Sequence, residues 1–585
     1  MQYRAEIDGL RALAVVAVIL FHAGFQSFSG GFIGVDIFFV ISGYLITTIL
    51  INDIEHGRFS ILNFYERRAR RILPALFFVM LACIPFAWMW MLPDPLENFG
   101  QSMVATTIFS NNVLLYITAG YWDLGTDFKP LLHTWSLGVE EQYYALFPLF
   151  LVFAFRFARS RVFCMVIVLA LASLALSEWS SRNMPMANFY LGHTRAWELL
   201  AGSLTSFIAQ KQGVHKNNFL SLLGMVAIIF SIFIYDENTP FPSIFALVPV
   251  MGTVLIVLFA GNNTIIARLL STKPIVGVGL ISYSAYLWHQ PLFAFSKIYL
   301  QSPPSTLFKI ALLVGVFVFA IGSWKFIESP FRKHSTIPSR GFFTCIIGFS
   351  LFFSFYGYWL HSSQGAPERI FTDYEFSRSN HDVKVASLDS KNYLKNNFLD
   401  LEQPKLLIYG DSFAGDIGYL FSYYYPDIDF RILNSLSASP NSMCNKDFSR
   451  EKIFNQIAML IIAFDEGYNI PCLRALIDER KANGQDTLFV GTKNFGENLN
   501  WLTRLKKTAR SSLCQKAAQR FALIEKRDLI SIPSENYISM LSLAGTLDCI
   551  PITNSNGELL ASDRKHFTVA GVEFFAPLFF HHTNI

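Results

Sequence analysis

The chain has 585 residues, of which 52% are hydrophobic, 16% aromatic and only 15% charged, with a formal net charge of +4. Its mean hydropathy of +0.37 is too high for one soluble domain and too low for a chain that lies wholly in a membrane. The net charge is small, and the chain has no basic stripe in which aromatic residues are interleaved, which excludes a typical nucleic-acid-binding protein.

Long apolar runs recur through the first 360 residues. A helix that crosses a bilayer needs about 20 apolar residues, so these runs predict a polytopic α-helical membrane domain of about 11 spans. The first run does not resemble a cleaved signal peptide, because further runs follow it and no small-residue cleavage site is evident. The runs cover residues 10–26, 32–51, 72–92, 143–157, 162–177, 196–210, 219–235, 243–260, 280–299, 307–327 and 341–360.

Basic residues accumulate in alternate loops between these runs. Arginines crowd residues 58–71, and further basic residues follow the fourth, sixth, eighth and tenth runs. The positive-inside rule therefore places the N-terminus and the basic loops in the cytoplasm. An odd number of spans then puts everything after residue 361 on the outer side.

The first span contains two ionisable residues. Arg11 lies near one end and His22 near the other, roughly 16 Å apart along a helix and almost three whole turns apart, so both point to nearly the same side. An arginine and a histidine anchored at the two membrane interfaces would also fit this placement. Ionisable groups inside membranes usually mark function, however, and we expect a functional role.

The composition changes after the last apolar run. Residues 366–403 are polar and predict a linker, whereas residues 404–585 alternate short β-like runs with helical patterns. Strands that alternate with helices predict a parallel α/β sheet with covered faces. This second domain of roughly 180 residues is large enough to bury its own core.

The second domain contains a candidate catalytic triad. The motif "YGDSFAGD" places Ser412 directly after an apolar strand, at the strand end where open α/β sheets hold their sites. Near the C-terminus, "SDRKHFT" supplies Asp563 and His566 at a spacing that lets both converge on one serine. A nucleophilic serine needs a base and a carboxylate that orients the base. The serine motif alone would equally suit a turn or a helix cap.

These two motifs resemble those of the SGNH hydrolase/transferase family over residues 404–585. The resemblance implies a flavodoxin-like α/β fold, with Ser412 as nucleophile, His566 as base and Asp563 as orienting carboxylate. The family completes its oxyanion hole with a Gly and an Asn from two intervening blocks. Asn494 in "GTKNFG" is the candidate for the Asn, although its spacing departs from the usual G-x-N-D block, and no Gly block is evident.

The membrane half resembles the acyltransferase-3 family, over residues 1–335, with an additional transmembrane helix over 336–365. The motifs that carry this resemblance occur in the family's order: "IDGLRALAVVAVILFHAG", "GGFIGVDIFFVISGYLIT", "FYERRARRILPA", "LLHTWSLGVEEQYY", "RAWELLAG", "ISYSAYLWHQPL" and "IESPFR". The whole chain therefore resembles a fused acyltransferase-3–SGNH protein. Bacterial proteins of that type sit in the inner membrane with a periplasmic C-terminal domain.

The resemblance implies an O-acetyltransferase that moves an acetyl group from cytoplasmic acetyl-CoA to an envelope glycan. The first expectation for the acceptor is lipopolysaccharide, through a lipid-linked O-antigen or an outer-core sugar. The alternatives are a peptidoglycan or exopolysaccharide O-acetyltransferase, or an envelope-anchored carbohydrate esterase. A tethered esterase would leave the intramembrane arginines and His22 without a role, and a transporter would leave the serine triad without one.

The resemblance also assigns roles to residues of the first span and the arginine cluster. Arg11 belongs to donor binding, and His22 takes part in acyl transfer as a nucleophile or as a general base. Guanidinium groups suit the 3′-phosphate and pyrophosphate of coenzyme A, although positive-inside anchoring would also place arginines here. The predicted donor-binding arginines of the cluster are Arg67, Arg68, Arg70 and Arg71.

Further candidates lie on the predicted acceptor side. Glu140 is a candidate catalytic carboxylate, which could orient or deprotonate a sugar hydroxyl or the catalytic histidine. Interfacial anchoring and ion pairing within one helix are the alternatives for the others. The tentative acceptor-side residues are His133, Trp135, Arg195 and His289.

Seven cysteines divide between the two domains. The four in the outer domain predict two disulfides with three connectivities, of which pairing between sequence neighbours is a preference only. These cysteines are Cys444, Cys472, Cys514 and Cys549. No metal site is expected, because His and Cys do not cluster at ligand spacing.

Overall fold

In the computed structural model, the chain is described over residues 3–582 except for a set of segments and the side chains of Thr126, Ser412, Leu433 and Asn434. Those segments are 119–124, 237, 262, 301–303, 334–336, 370–405, 429, 435–456, 465–467, 497, 507–508, 544 and 562–565. The predicted linker falls almost entirely outside the described residues. By the contacts within the chain, one unit comprises Met1–Trp88 with Asn98–Trp359, and the other Met89–Glu97 with Leu360–Ile585.

The first unit is helical throughout. Each of the eleven apolar runs overlaps one of its helices, which confirms the polytopic helical class. The first nine helices are α1 (Ala5–His22), α2 (Gly34–Glu55), α3 (Ile61–Trp90), α4 (Pro93–Thr107), α5 (Asn111–Thr118), α6 (Thr134–Ala158), α7 (Val162–Asn183), α8 (Pro185–Tyr190) and α9 (Gly192–Gln212). They are followed by α10 (Asn218–Ile234), α11 (Leu247–Phe259), α12 (Ile265–Leu270), α13 (Lys273–Leu280), α14 (Ser282–Tyr299), α15 (Thr306–Ser323), α16 (Ser329–Arg332) and α17 (Ser339–Ser362).

Fewer helical segments are long enough to span a membrane than the sequence predicts. In the described part of the chain, five helical segments are long and apolar enough to cross a bilayer, and two shorter apolar helices accompany them. The five are Gly31–Glu55, Ile61–Trp90, Thr134–Asn183, Thr306–Arg332 and Ser339–Ser362. A total of about 11 spans therefore stays a prediction.

Helix α1 is the buried centre of the helical unit. Its apolar side chains Leu10, Ala14, Val15 and Val18 are fully buried, so the helix is enclosed by its neighbours rather than exposed along one face. Backbone contacts fix it closely: a Cβ atom at Gly9 would lie 2.1 Å from the Leu270 carbonyl oxygen of α12. A Cβ at Gly34, the first residue of α2, would lie 2.4 Å from the Ala14 carbonyl oxygen. Only glycine permits either approach.

The second unit contains the predicted parallel α/β sheet, which confirms that part of the fold class. Its five-stranded sheet has the order β2-β1-β3-β4-β6 with every neighbour parallel, and β5 and β7 pair antiparallel elsewhere. The strands are β1 (Leu406–Gly410), β2 (Phe430–Asn434), β3 (Met459–Ala463), β4 (Asp486–Val490), β5 (Cys514–Gln515), β6 (Tyr537–Ile538) and β7 (Ile550–Pro551). The helices are α18 (Ser412–Tyr424), α19 (Ile470–Ala482), α20 (Gln519–Ser531) and α21 (Val569–His582).

Both faces of this sheet are covered. Ile408 of β1 packs into one apolar cluster, and its neighbours Leu407 and Tyr409 pack into another on the opposite face. A central parallel strand that is buried on both faces needs such a continuous apolar run. The sheet thereby fixes the carboxyl ends of β1, β3 and β4 along one edge.

One predicted cysteine pairing is present. Cys514 and Cys549 form a disulfide, with their Cα atoms 5.0 Å apart. Cys472 is also disulfide-bonded, and Cys444 lies outside the described residues.

Candidate functional site

A cavity opens among α1, α2, α3, α6 and α14 of the helical unit. Its empty volume is about 880 Å³, open solvent at the mouth included. Three arginines line it, together with a histidine and a carboxylate from the start of α6. These lining residues are Arg11, Arg68, Arg71, His133 and Glu140.

Helix α1 connects the two candidate residues of the first span. Arg11 lines the cavity and donates to Asp8, whose carboxylate oxygen is 3.1 Å from the guanidinium group. His22 is the last residue of the same helix, which ends where Ala23 and Gly24 leave the helical path, Gly24 with a φ of +74°. The sequence therefore predicted correctly that one continuous helix carries both residues.

Three histidines gather around the end of α1. The His22 ring centroid lies 5.1 Å from that of His289, and the His289 centroid lies 5.5 Å from that of His133. Since His133 also lines the cavity, the cluster joins His22 to the cavity wall. The three residues come from α1, the residue preceding α6, and α14, so tertiary packing alone brings them together.

Backbone hydrogen bonds orient two of these rings. Nδ1 of His22 donates to the Val18 carbonyl oxygen at 3.0 Å, and Nδ1 of His289 donates to the Tyr286 carbonyl oxygen at 2.5 Å. A carbonyl oxygen can only accept, so a neutral ring carries its proton on Nδ1 and leaves Nε2 with a free lone pair. In the described part of the chain, Nε2 of His289 and both ring nitrogens of His133 are buried without a hydrogen-bond partner. The cluster is thus an arrangement of basic nitrogens that the surrounding protein does not saturate.

Glu140 lies one to two turns into α6, on the cavity wall. The hydroxyl groups of Ser42 on α2 and Tyr144 on α6 both donate hydrogen bonds to its Oε1. These donors hold the carboxylate in one orientation facing the cavity. Ser42, Tyr144 and the cavity-lining Tyr286 were not predicted from sequence, although the closely spaced aromatic and hydroxyl residues of "ISYSAYLWHQPL" were a signal for the last.

Two of the four arginines of the cluster on α3 line the cavity, and the other two do not. Arg68 and Arg71 line the cavity, and the Arg68 guanidinium lies 5.6 Å from the Tyr144 ring centroid. Arg67 faces away, is about half exposed, and pairs with Asp53 at 3.3 Å. Arg70 is buried, pairs with Glu66 at 2.9 Å and lies over the Phe342 ring. Neither Arg67 nor Arg70 belongs to the cavity wall as the structure describes it.

Arg195 and Trp135 lie in a buried cluster beside the cavity wall. The Arg195 guanidinium is 3.2 Å from an Asp36 carboxylate oxygen and 3.3 Å from Glu198, and all three side chains are almost completely buried. The Trp135 ring lies 5.5 Å from the guanidinium, and Phe39 is at the same distance. The sequence suggested the Arg195–Glu198 pair but missed Asp36, whose signal was an acidic residue within the apolar run "GVDIFFVISG".

The C-terminal domain holds a second candidate site at the carboxyl edge of its sheet. Helix α18 begins at Ser412 directly after β1, and the Asp411 side chain caps it by accepting from the Phe413 amide at 2.9 Å. His566 is buried in the segment before α21. The Ser412 side chain and Asp563 lie outside the described residues, so the predicted triad stays a prediction.

Asn494 follows β4 at the same sheet edge. Its Oδ1 accepts from the backbone amides of Gly496 and Ala518, each at 3.0 Å. Its Nδ2 is buried and has no hydrogen-bond partner among the described residues. The amide is thus anchored through its oxygen, which leaves its NH₂ group available as a donor.

Comparisons with known proteins agree with the helical half. The family profile described as an acyltransferase domain matches residues 4–359. The chain is 32% identical over 355 residues to peptidoglycan O-acetyltransferase OatA of Listeria monocytogenes, covering 57% of each chain. It is 32% identical over 358 residues to O-acetyltransferase OatA of Staphylococcus aureus, covering 57% of this chain and 58% of that one.

A third relative is the putative peptidoglycan O-acetyltransferase YrhL of Bacillus subtilis. The identity is 31% over 354 residues, which cover 57% of this chain and 55% of the relative. The chain therefore matches somewhat more than half the length of each of these three relatives. No solved structure matches the chain. The parallel sheet of the C-terminal domain is consistent with an SGNH-like domain.

Proposed function

The chain belongs to the acyltransferase-3 family, and on that premise we propose that it is a membrane O-acetyltransferase of a cell-envelope glycan. The donor is acetyl-CoA, and the acceptor is a sugar hydroxyl on the other side of the membrane. The observation that supports this best is the cavity, which joins three arginines to the histidine cluster around His22.

The arginines of the cavity suit the donor. Guanidinium groups bind phosphate oxygens through two parallel hydrogen bonds, and coenzyme A carries a pyrophosphate and a 3′-phosphate. Arg11, Arg68 and Arg71 all reach the cavity wall, so these three are the donor-binding residues of the proposal. Arg67 and Arg70, which the sequence placed in the same group, have protein partners elsewhere and act in the packing and orientation of α3.

His22 is the residue proposed to act on the acetyl group. Its Nδ1 is engaged with the Val18 carbonyl, which leaves Nε2 to react. Nε2 can attack the thioester carbon and carry the acetyl group itself, or it can remove the proton of the attacking hydroxyl. Glu140, held by Ser42 and Tyr144, is the cavity-wall carboxylate proposed to orient or deprotonate the attacking hydroxyl group.

The acceptor proposed is peptidoglycan or a closely related envelope glycan. Two of the relatives are named as peptidoglycan O-acetyltransferases, and none of the three names mentions lipopolysaccharide. This supports the alternative acceptor of the sequence analysis over O-antigen or outer-core sugar. In this proposal the protein lies in the bacterial cytoplasmic membrane, with the N-terminus in the cytoplasm and the C-terminal domain outside.

The C-terminal domain completes the transfer. Ser412 receives the acetyl group with His566 as base and Asp563 as orienting carboxylate, and Asn494 donates to the oxyanion through its free NH₂ group. The resulting acyl-serine is then attacked by the sugar hydroxyl. A direct transfer from the helical unit to the sugar is the competing route, and Ser412→Ala distinguishes them because only the relay needs the serine.

The test uses inverted membrane vesicles that contain the full chain, supplied with radiolabelled acetyl-CoA and peptidoglycan fragments enclosed in the vesicle lumen. We expect labelled O-acetyl glycan with the wild type and its loss in His22→Ala. His193→Ala is the matched control, because His193 is an exposed histidine at the start of α9 and should retain full transfer.

Two outcomes would contradict the proposal. If His22→Ala vesicles acetylate glycan at the wild-type rate, His22 takes no part in the chemistry. If the wild type neither binds acetyl-CoA nor acetylates glycan, the chain is not an acetyl-CoA-dependent O-acetyltransferase. The natural acceptor is identified by comparing the O-acetylated envelope glycans of a strain that has the gene with those of a strain that lacks it.

A further inference from the structure

A buried ion pair lies beside the candidate serine site of the C-terminal domain. The Lys493 ammonium group contacts the Asp416 carboxylate, and both side chains are at most 4% exposed. Asp416 lies on α18, one turn after Ser412, and Lys493 lies in the loop after β4. The pair therefore joins the helix that begins at the serine to the loop that holds Asn494.

The same ammonium group lies between two aromatic rings. Its nitrogen is 4.6 Å from the ring centroid of Phe413 and 4.6 Å from that of Phe567. Both rings are almost fully buried, so the cation interacts with them at low dielectric, where such contacts are strongest. Phe567 belongs to the segment that leads into α21, the third segment in contact with this one cation.

Each of the three segments contributes a candidate residue next to its contact with Lys493. Phe413 follows Ser412, Asn494 follows Lys493, and Phe567 follows His566. Ser412 and His566 are thus the neighbours in sequence of the two rings that Lys493 contacts. Asn494 is the neighbour in sequence of Lys493 itself. Nothing else in the proposed reaction gives this lysine a role.

We propose that Lys493, paired with Asp416, is a positioning residue that sets the relative placement of the Ser412, Asn494 and His566 segments. The inference rests on the proposed function, since it assumes that Ser412 is a reactive serine. Packing alone does not require the charges, because well-packed neutral side chains commonly replace buried ion pairs without loss of stability. The ion pair instead constrains direction, since one cation must meet a carboxylate and two ring faces at once.

The experiment measures hydrolysis of 4-methylumbelliferyl acetate by the full chain in detergent, with the rate of Ser412→Ala subtracted. The variant is Lys493→Met with Asp416→Asn, which removes both charges of the pair at nearly constant volume. We expect kcat to fall at least about tenfold, because a misplacement of about 1 Å can cost a hundredfold in rate. KM should stay within about twofold and the thermal unfolding midpoint near that of the wild type, because only the alignment of the reacting groups is lost.

Lys481→Met is the matched control. Lys481 pairs with Glu535 at 3.3 Å in the same domain, but the two side chains are 69% and 61% exposed, so this variant should keep the wild-type kcat. If the double variant does not fold, Lys493→Arg tests the same point, because it keeps the cation but changes its reach to Asp416 and the two rings, and it should lower kcat with KM unchanged.

The outcomes separate this inference from the proposed function. If the wild type hydrolyses the ester through Ser412 and a folded Lys493 or Asp416 variant does so at the same kcat, the positioning role is wrong and the reactive serine stands. If the wild type shows no hydrolysis that depends on Ser412, both the serine relay and the positioning role are overturned.

Discussion

Two groups of arginines in the helical unit have opposite surroundings. Arg195 lies between two buried carboxylates, Asp36 and Glu198, and is enclosed by aromatic rings. The cavity arginines Arg11, Arg68 and Arg71 share one wall, and of these only Arg11 has an ion pair in the described part of the chain.

The difference shows how a protein separates a structural cation from one that serves a ligand. The protein itself supplies the counter-charges of Arg195, with Asp36 at 3.2 Å and Glu198 at 3.3 Å from its guanidinium group. Three arginines on one cavity wall repel one another, and the phosphate groups of the proposed donor would relieve that repulsion. The predictions below test this contrast, from the largest expected effect to the smallest.

Arg195→Met should produce the largest loss of stability. The change leaves two carboxylates buried without their cation, which typically costs about 3–5 kcal/mol. The measurement is the thermal unfolding midpoint of the purified chain in detergent. Adding Asp36→Asn and Glu198→Gln to the same variant should restore much of the loss, because the unpaired charges are then gone. A stable Arg195→Met protein that had lost only glycan acetylation would instead place Arg195 among the ligand-binding residues, as the sequence suggested.

Replacing Arg68 and Arg71 with Gln should weaken donor binding without lowering stability. Each charge-assisted hydrogen bond contributes about 1.5–3 kcal/mol, so we expect roughly a ten- to hundredfold loss of acetyl-CoA affinity per arginine. Equilibrium binding of acetyl-CoA to the detergent-solubilised chain measures it. An unchanged affinity would show that the cavity arginines do not bind the donor.

Arg70→Met should behave like a milder version of the Arg195 change. Arg70 is buried and donates to Glu66 at 2.9 Å and to the Phe331 carbonyl at 3.3 Å, and its replacement removes both hydrogen bonds, at a cost of about 1–3 kcal/mol. Thermal unfolding should register this while acetyl-CoA affinity, measured on the folded fraction, stays within about twofold. A large loss of affinity with normal stability would return Arg70 to the donor site.

Arg67→Gln should have the smallest effect of the series. Its ion pair with Asp53 is exposed, and exposed pairs contribute about 0–1 kcal/mol. Both the unfolding midpoint and the acetyl-CoA affinity should match the wild type, which makes this variant the control for the Arg68 and Arg71 changes. A clear loss of donor affinity here would mean that the cluster acts through its total charge rather than through the cavity wall.

The sequence predicted the elements better than their assembly. Helical spacing was enough to place Arg11 and His22 on one helix, and the strand before Ser412 was enough to place the serine at a sheet edge. The division of the arginine cluster was not predictable, because it depends on the rotation of α3 about its own axis against its neighbours. The gathering of His22, His133 and His289 likewise depends on long-range packing, since their separations in the sequence carry no periodic signal.

Polar partners were the least predictable part of the site. Ser42 and Asp36 lie in one apolar run. No motif in that run shows that Ser42 donates to Glu140 whereas Asp36 pairs with Arg195. In the C-terminal domain, the resemblance predicts Asn494 as the oxyanion asparagine despite its altered spacing. Its Oδ1 is anchored by two backbone amides, so the local loop rather than the motif sets the direction of its NH₂ group.

The glycine contacts of α1 bear on how an acetyl group could cross a membrane. Carriers of the alternating-access kind rock or slide their helices to expose a site first on one side and then on the other. Helix α1 meets the Leu270 backbone carbonyl directly at Gly9, so a shift of one residue would drive a side chain of α1 into that carbonyl. We therefore expect α1, the helix that carries Arg11 and His22, to keep its position. The pantetheine arm of the proposed donor, rather than a movement of the protein, should span the distance from Arg11 to His22.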